Sequence, residues 1–496
     1  VRIGLSRLNI TNMPKYLYIP MEIFDREIDG NLLLAAYAAN AGWSVILGGK
    51  TEILWQISDF PEGVFLLKSI VPGEIGFQDQ IIERGSKVVC LDQEGLLQRW
   101  GLEYRFRFSQ DTVERTEKLF FWGREQRQQF VEMFPDHGDC KLCVTGSPRS
   151  DYWRFVGRNK EQLLATSESE KNHYPTGHIL FATSFGNVNH ALGRYGQRNL
   201  LKAASNVKGM TTEEEKILAS NAEARRELAR VLLPVYVDLL QKIANDNPHK
   251  RIVLRPHPSE GIEFWKDATK SFANVDIVVD GPTTDWVLGA DCVVQYGSTV
   301  AIEAALIGVP VASCIPELPA ELKGLNLCYP EQVSNVGTTV EETARIVSNI
   351  VKSGLNAKSV DISVLNGITN LNDGANAAGN IVKELADLAI EAKAKIDPKR
   401  FMHHNAGLSS FSELKQDLVA AALRFPGAKK VISDRHHHLE HRKTYKKRKV
   451  YNLSVAGILK RMSVATTISH LDVNSFCVQK LASNLIQIEK SNSSVN

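Results

Sequence analysis

No run of apolar residues in this 496-residue chain approaches the roughly 20 needed to span a bilayer, which excludes an integral helical membrane protein. The opening stretch VRIGLSRLNITNMPKYLYIP has no basic start, apolar core or small-residue cleavage site, so no secretory signal is expected. Cysteine is sparse and odd in number, seven in all, which argues against a disulfide framework and for a reducing cytoplasm. One CxxC pair is present, Cys140 and Cys143, but a structural zinc would want a second pair and there is none, so plain thiols are expected there. Charge of one sign is also scarce. The net charge is only +3, and residues 428–449 hold nine Lys/Arg against two Asp/Glu, a local +7 that leaves −4 for everything else. A body without a basic surface is not expected to take nucleic acid as a partner.

What is present is the composition of a soluble globular protein, 43% hydrophobic and 23% charged, and the length suggests more than one domain. From Lys15 the pattern runs strand, helix, strand: YLYIPMEI is extended and apolar, REIDGNLLLAAYAANAG repeats apolar residues at helical spacing, and WSVILGG is again a strand. Gly42 is placed to stop the helix. Further strands are expected at GVFLLKSI, KVVCLD and KLCVTG. Residues 166–177 read as a linker, and a second strand-helix series restarts at HILFATSFG. It continues through a long helix near 212–246 to RIVLRPHP, VDIVVDG, CVVQYGS, TVAIEAALIG and PVASCI. The expectation is an α/β protein of two facing Rossmann-like domains, 14–165 and 178–355, with a ligand cleft between the carboxyl ends of their strands. Beyond them lies a tail, 356–496, expected to be helical over 376–396 and 411–424, basic over 428–449 and frayed at the end.

Three strand-end loops of the second series have the chemistry of an anion site. Gly297-Ser298-Thr299 opens a helix, whose first amides lack partners, with Glu303 one turn in; the same residues would also serve as an ordinary helix cap. In LRPHP, Arg255 offers a fork of donors and His257 one more, on a turn stiffened by two prolines. Ser184, Gly186 and Asn187 make the third turn. The first series supplies acids instead: Glu22, Asp25, Arg26 and Glu27 after one strand, Asp92 and Glu94 after another, Arg149 and Asp151 after a third. Carboxylates facing an anion site across a cleft suit general acid/base or nucleophilic work on a sugar. Helix-end charge compensation for Asp25, Arg26 and Glu27, and a salt-bridged cap for Asp151, are the alternatives.

In their order, IPMEIFDREIDGNLLLA, LDQEGL, TGSPRSDYW, LRPHPSE and GSTVAIEA resemble the bacterial surface-carbohydrate biosynthesis family, which is related to the retaining β-Kdo glycosyltransferases of GT-B fold. The resemblance covers roughly residues 14–355. It implies a transferase moving a Kdo-like ulosonic acid from a CMP-activated donor onto a capsule or lipopolysaccharide glycan. It implies Asp151 as nucleophile and Glu94 as acid/base or acceptor-activating group. Arg255, His257, Ser298 and Thr299 would hold the phosphate, with Ser184, Gly186 and Gly297 in the surrounding donor loops. Glu303 would meet the ribose, and Asp25, Arg26, Glu27 and Arg149 would line the substrate. A CMP-sugar carries one phosphodiester charge, which an Arg, a His and helix N-termini can stabilise, and no DxD-like pair is seen, so metal independence is expected and no cofactor. The implied partners are a nucleotide-sugar donor and a glycan or glycolipid acceptor, with residues 428–449 able to dock on an anionic inner membrane surface from the cytoplasm. CDP-glycerol glycerophosphotransferases and UDP-sugar epimerases share this two-domain plan and stay open as alternatives.

Overall fold

The computed structural model describes residues 13–96, 107–136, 141–169, 175–193, 211–325, 328–353, 361–371, 376–398, 454–468, 470–482 and 484–491. In the first domain, parallel strands β1 (Lys15–Met21), β2 (Trp43–Gly49), β3 (Gly63–Leu67), β4 (Lys87–Leu91), β5 (Lys118–Phe121) and β6 (Leu142–Val144) lie in the order 2-1-3-4-5-6. The second sheet holds β7 (His178–Ala182), β8 (Arg251–Arg255), β9 (Val275–Ile277), β10 (Ala290–Gln295), β11 (Val311–Cys314) and β12 (Asn335–Gly337), all parallel, in the order 12-11-10-7-8-9. Counted within its own domain that order is 6-5-4-1-2-3, the doubly wound Rossmann arrangement. The chain is therefore α/β with two Rossmann-like domains on a GT-B-like plan. The strand order reverses between β1 and β3 in one sheet and between β7 and β10 in the other, and crevices open at such reversals.

Seven helices matter for the site: α1 (Phe24–Asn40), α2 (Pro148–Arg158), α3 (Thr212–Asp246), α4 (Thr283–Leu288), α5 (Val300–Ile307), α6 (Ala377–Leu385) and α7 (Val455–Ile468). Helix α1 is buried almost all round, because the sheet lies under it and α2, α6 and α7 cover it. It ends as Gly42 takes φ +87, a left-handed turn open to glycine. The domains meet where α2 crosses α5. Gly157 allows that crossing, since a β-carbon there would sit 2.8 Å from the carbonyl oxygen of Ile307. One apolar cluster runs through the contact, from Leu17 and Tyr152 to Ile302, Ile307 and Val311.

Two expectations change. Residues 166–169, read as linker, continue the helix Lys160–Ser169. The chain beyond 355 is more than a helical tail: β13 (Phe476–Ala482) and β14 (Leu485–Lys490) form an antiparallel hairpin, and β14 pairs antiparallel with β2, extending the first sheet to eight strands. The end is held because Leu485, Ile486 and Ile488 bury their side chains. Helix α6 covers part of the expected 376–396 helix and is tied down by Lys118, whose Nζ reaches Glu384 at 2.8 Å. Helix α7 carries Arg461, whose two Nη atoms bond Asp29 of α1 at 2.9 Å and Asp285 of α4 at 2.8 Å, one in each domain. The expected helix 411–424 and the basic segment 428–449 lie outside the described residues.

Candidate functional site

At the carboxyl end of β10, Gly297 turns with φ +53 and Ser298 follows, its amide held by Gln295 Oε1 at 3.0 Å and its hydroxyl accepting from the Val300 amide at 3.3 Å. Thr299 stands at the start of α5 without a capping bond of its own, and α5 closes on Gly308 at φ +80. The β8 loop is shaped by buried Glu260. One of its oxygens accepts from the His257 amide at 2.9 Å and the Thr183 hydroxyl at 2.8 Å, the other from the Trp265 indole at 3.0 Å. Burial lifts that carboxyl to about 7 although all three bonds pull it down. The Ser259 amide donates to His257 Nδ1 at 3.2 Å, which leaves Nε2 as the protonated nitrogen of the neutral ring.

Arg255 sits deeper. Its guanidinium donates to the carbonyl oxygens of Asp280, at 2.9 Å, and Gly281, and lies 3.9 Å from Asp25 of the first domain. Its fork is spent on the turn after β9. Asp25, Arg255, His257, Ser298, Thr299 and Glu303 come together in one cleft, with Arg26 and Arg149 from the first domain and Thr183 and Thr283 from the second. Ser184 and Gly186 are not part of its lining; Gly186 instead lets Ser259 approach, since a β-carbon there would be 2.2 Å from the Ser259 hydroxyl. The cavity volume is about 100 Å³. Ligand pockets generally offer ~300–1,000 Å³, so the cleft as it stands is small for one. A larger cavity of about 780 Å³ lies beyond β11 and β12, bordered by Glu317, Lys323, Glu331 and Thr338.

The acids of the first domain are mostly paired with cations of the same domain. Glu27 is fully buried and accepts from the amides of Glu22 and Ile23 at 3.0 and 3.2 Å, closing the start of α1. Arg26 bridges Glu27 at 3.3 Å and Glu94 at 2.7 Å; Lys68 takes Glu22, and Arg107 takes Asp92. Burial works to raise the Glu94 carboxyl, but Arg26, Arg107 and Lys68 outweigh it and hold it at about 2, so it is ionised at neutral pH and cannot donate a proton there. Asp151 is not among the residues lining the cleft. Its Oδ2 accepts from the Ala377 amide at 2.6 Å, at the start of α6, and burial raises the carboxyl to about 7.

Two cleft groups stand out. Glu303, 5% exposed, is raised by burial to about 7 while the Thr284 hydroxyl, at 2.5 Å, and the charges of Arg149 and Arg255 pull it down. Arg149, 5% exposed, has its guanidinium carbon 5.3 Å from the Trp122 ring centre and 4.9 Å from that of Trp153. Sequence reading missed Thr183, the Asp280–Thr283 turn and the Trp122 and Trp153 platform; TGSPRSDYW contains Trp153, but only the fold brings Trp122 to it. Among the described residues no group of three or more His, Cys, Asp or Glu side chains is arranged to hold a metal, and no helix is long and apolar enough to cross a membrane. Cys143 is partly buried and unbridged; Cys140 lies outside the described residues.

No protein-family model matches the chain, and no curated protein does. Solved structures overlap it at low identity. The UDP-GlcNAc 2-epimerase of Neisseria meningitidis, solved with UDP-GlcNAc, is 12% identical at a TM-score of 0.43, covering 75% of this chain and all (100%) of that one. The wall teichoic acid polymerase TagF is 11% identical at 0.44, covering 75% and 89%. The UDP-GlcNAc 2-epimerase of Methanocaldococcus jannaschii is 12% identical at 0.41, covering 76% and 100%.

Proposed function

We propose that this chain is a nucleotide-sugar-dependent glycosyltransferase of surface-glycan synthesis, moving a Kdo-like ulosonic acid from a CMP donor to a capsule or lipopolysaccharide acceptor. The observation that carries the reading is the meeting, in one interdomain cleft, of the Ser298–Thr299 helix start and His257 on one wall with Asp25 and buried Arg149 on the other. The helix start and His257 Nε2 stabilise the phosphate as the bond to the anomeric carbon breaks and CMP leaves with the electron pair. The acceptor hydroxyl then attacks that carbon and gives up its proton. Glu303 is suited to receive it, with a carboxyl near 7 inside the cleft. No divalent ion is required by this scheme, and EDTA is expected to leave the rate unchanged.

With Asp151 bonded to the Ala377 amide, a retaining reaction through a covalent adduct falls more naturally to Asp25, or the acceptor attacks from the side the CMP leaves. Asp151→Asn is therefore expected to retain at least about a tenth of wild-type transfer; loss of all turnover in folded protein would restore Asp151 as nucleophile. Incubation with CMP-Kdo, CDP-glycerol and UDP-GlcNAc, followed by product analysis, tests the function itself. Release of CMP and free or transferred Kdo is the expected result. The seat of Asp151 also favours one competing reading, glycerophosphate transfer, which needs no carboxylate nucleophile; turnover of CDP-glycerol alone would establish it. The basic segment 428–449 is proposed to bring the enzyme to anionic lipid at the cytoplasmic membrane face, measurable as vesicle co-sedimentation lost at high salt.

A further inference from the structure

We infer that Arg149 seats a second anion, a carboxylate on the transferred sugar, separate from the phosphate seat made by Ser298, Thr299 and His257. This inference rests on the glycosyltransferase reading above and names a feature its substrate must have. Arg149 is buried, yet among the described residues it makes no ion pair. The only hydrogen bond of its guanidinium among them runs from Nη1 to the Gln93 carbonyl, at 3.3 Å, and its buried Nε has no partner. A guanidinium left in this state is costly unless an anion completes it. The other arginines nearest the cleft are already engaged: Arg26 by Glu27 and Glu94, Arg255 by two carbonyls and Asp25.

The geometry selects the kind of anion. Trp122 and Trp153 lie against the guanidinium, and Trp122 is itself pinned by its indole bond to the Asp92 carbonyl at 2.8 Å. With Nη1 turned to Gln93, the edge left over is Nε and Nη2, a side-on fork that matches the two oxygens of a planar carboxylate. Gly30 keeps this arrangement in place, because a β-carbon there would lie 2.6 Å from Cγ of Arg149. The fork belongs to the first domain and the phosphate seat to the second, so a donor with both anions ties the two walls together.

Equilibrium binding of CMP and of CMP-Kdo to wild type, Arg149→Gln and Arg149→Lys, with melting temperatures recorded alongside, tests this. Both variants are expected to bind CMP within about twofold of wild type and CMP-Kdo about 10–100-fold more weakly, since a charged bidentate contact is lost in each. Arg149→Lys keeps the charge without the fork and guards against a simple folding defect. A parallel loss of CMP affinity would make Arg149 part of the phosphate seat and overturn the inference; so would unchanged CMP-Kdo affinity. A wild type that prefers UDP-sugars overturns the CMP reading instead. The same variants on UDP-glucuronate against UDP-glucose then decide Arg149 alone, with loss on the acid only upholding it and equal loss on both refuting it.

Discussion

The two walls of the cleft handle buried charge in opposite ways. On the first-domain wall, carboxylates are matched to cations: Glu94 and Glu27 share Arg26, Glu22 has Lys68, Asp92 has Arg107. On the second-domain wall, Glu260 and Glu303 are buried among hydroxyl, indole and amide donors, and both are lifted to about 7. Pairing fixes a charge and so builds a rigid frame, whereas burial among neutral donors leaves a proton free to come and go near neutral pH. The Glu303 proton thus sits in the cleft on α5 and the Glu260 proton with the β8 loop, while the fixed charges belong to the first domain.

The largest effect is expected from removing the acceptor that shapes the β8 loop. Glu260→Ala leaves the His257 amide, the Thr183 hydroxyl and the Trp265 indole without their partner, and should cost about 3 kcal/mol in urea denaturation. A loss under about 1 kcal/mol would show that other groups hold the loop. Arg26→Ala comes next, at roughly 2 kcal/mol near pH 7, below the figure for a fully buried pair because Arg26 and Glu94 are each about a fifth exposed (20% and 21%). Glu94 is depressed to about 2, so its share of stability is complete above its unfolded value of ~4.3 and is lost as pH falls toward 2. The gap between wild type and variant should accordingly close on acidification, and a gap independent of pH would mean that Arg26 acts by packing alone.

Glu303→Gln should give the opposite pH dependence. With its carboxyl raised to about 7, wild type loses stability as pH climbs from ~4.3 to about 7, and the amide removes that loss. The variant should gain stability on wild type as pH rises through that window, while transfer activity falls and loses its inflection near neutrality. An unchanged pH–rate profile would remove Glu303 from the proton transfer.

How much of this was legible followed from how local the signal was. Long apolar runs such as YLYIPMEI and RIVLRPHP, and the long helix near 212–246, are written in neighbouring residues and match their observed bounds closely. KLFF, which forms β5, is only four residues long, and LIQIEK, which forms β14, looks like a polar tail until β2 is set beside it. The cleft shows the same limit. SerThr at a helix start and His257 between prolines declare themselves locally, but the capture of Arg255 by the Asp280–Gly281 turn does not. Nor does the bond from Ala377 to Asp151, since its partners are 226 positions apart. The sequence shows which side chains could hold an anion, and the fold shows which are still at liberty to do so.

The hairpin that completes the first sheet also sets an order of assembly. Strand β2 is made early and β14 late, so during synthesis β2 presents an unpaired, apolar edge until nearly the whole described chain has emerged. Arg461 arrives in the same late segment, and with it a bond that reaches into both domains. A ribosome-bound intermediate of this protein would carry two nearly formed sheets with the β2 edge open and the Arg461 bridge unmade, a state in which strand exchange between neighbouring chains competes directly with correct completion.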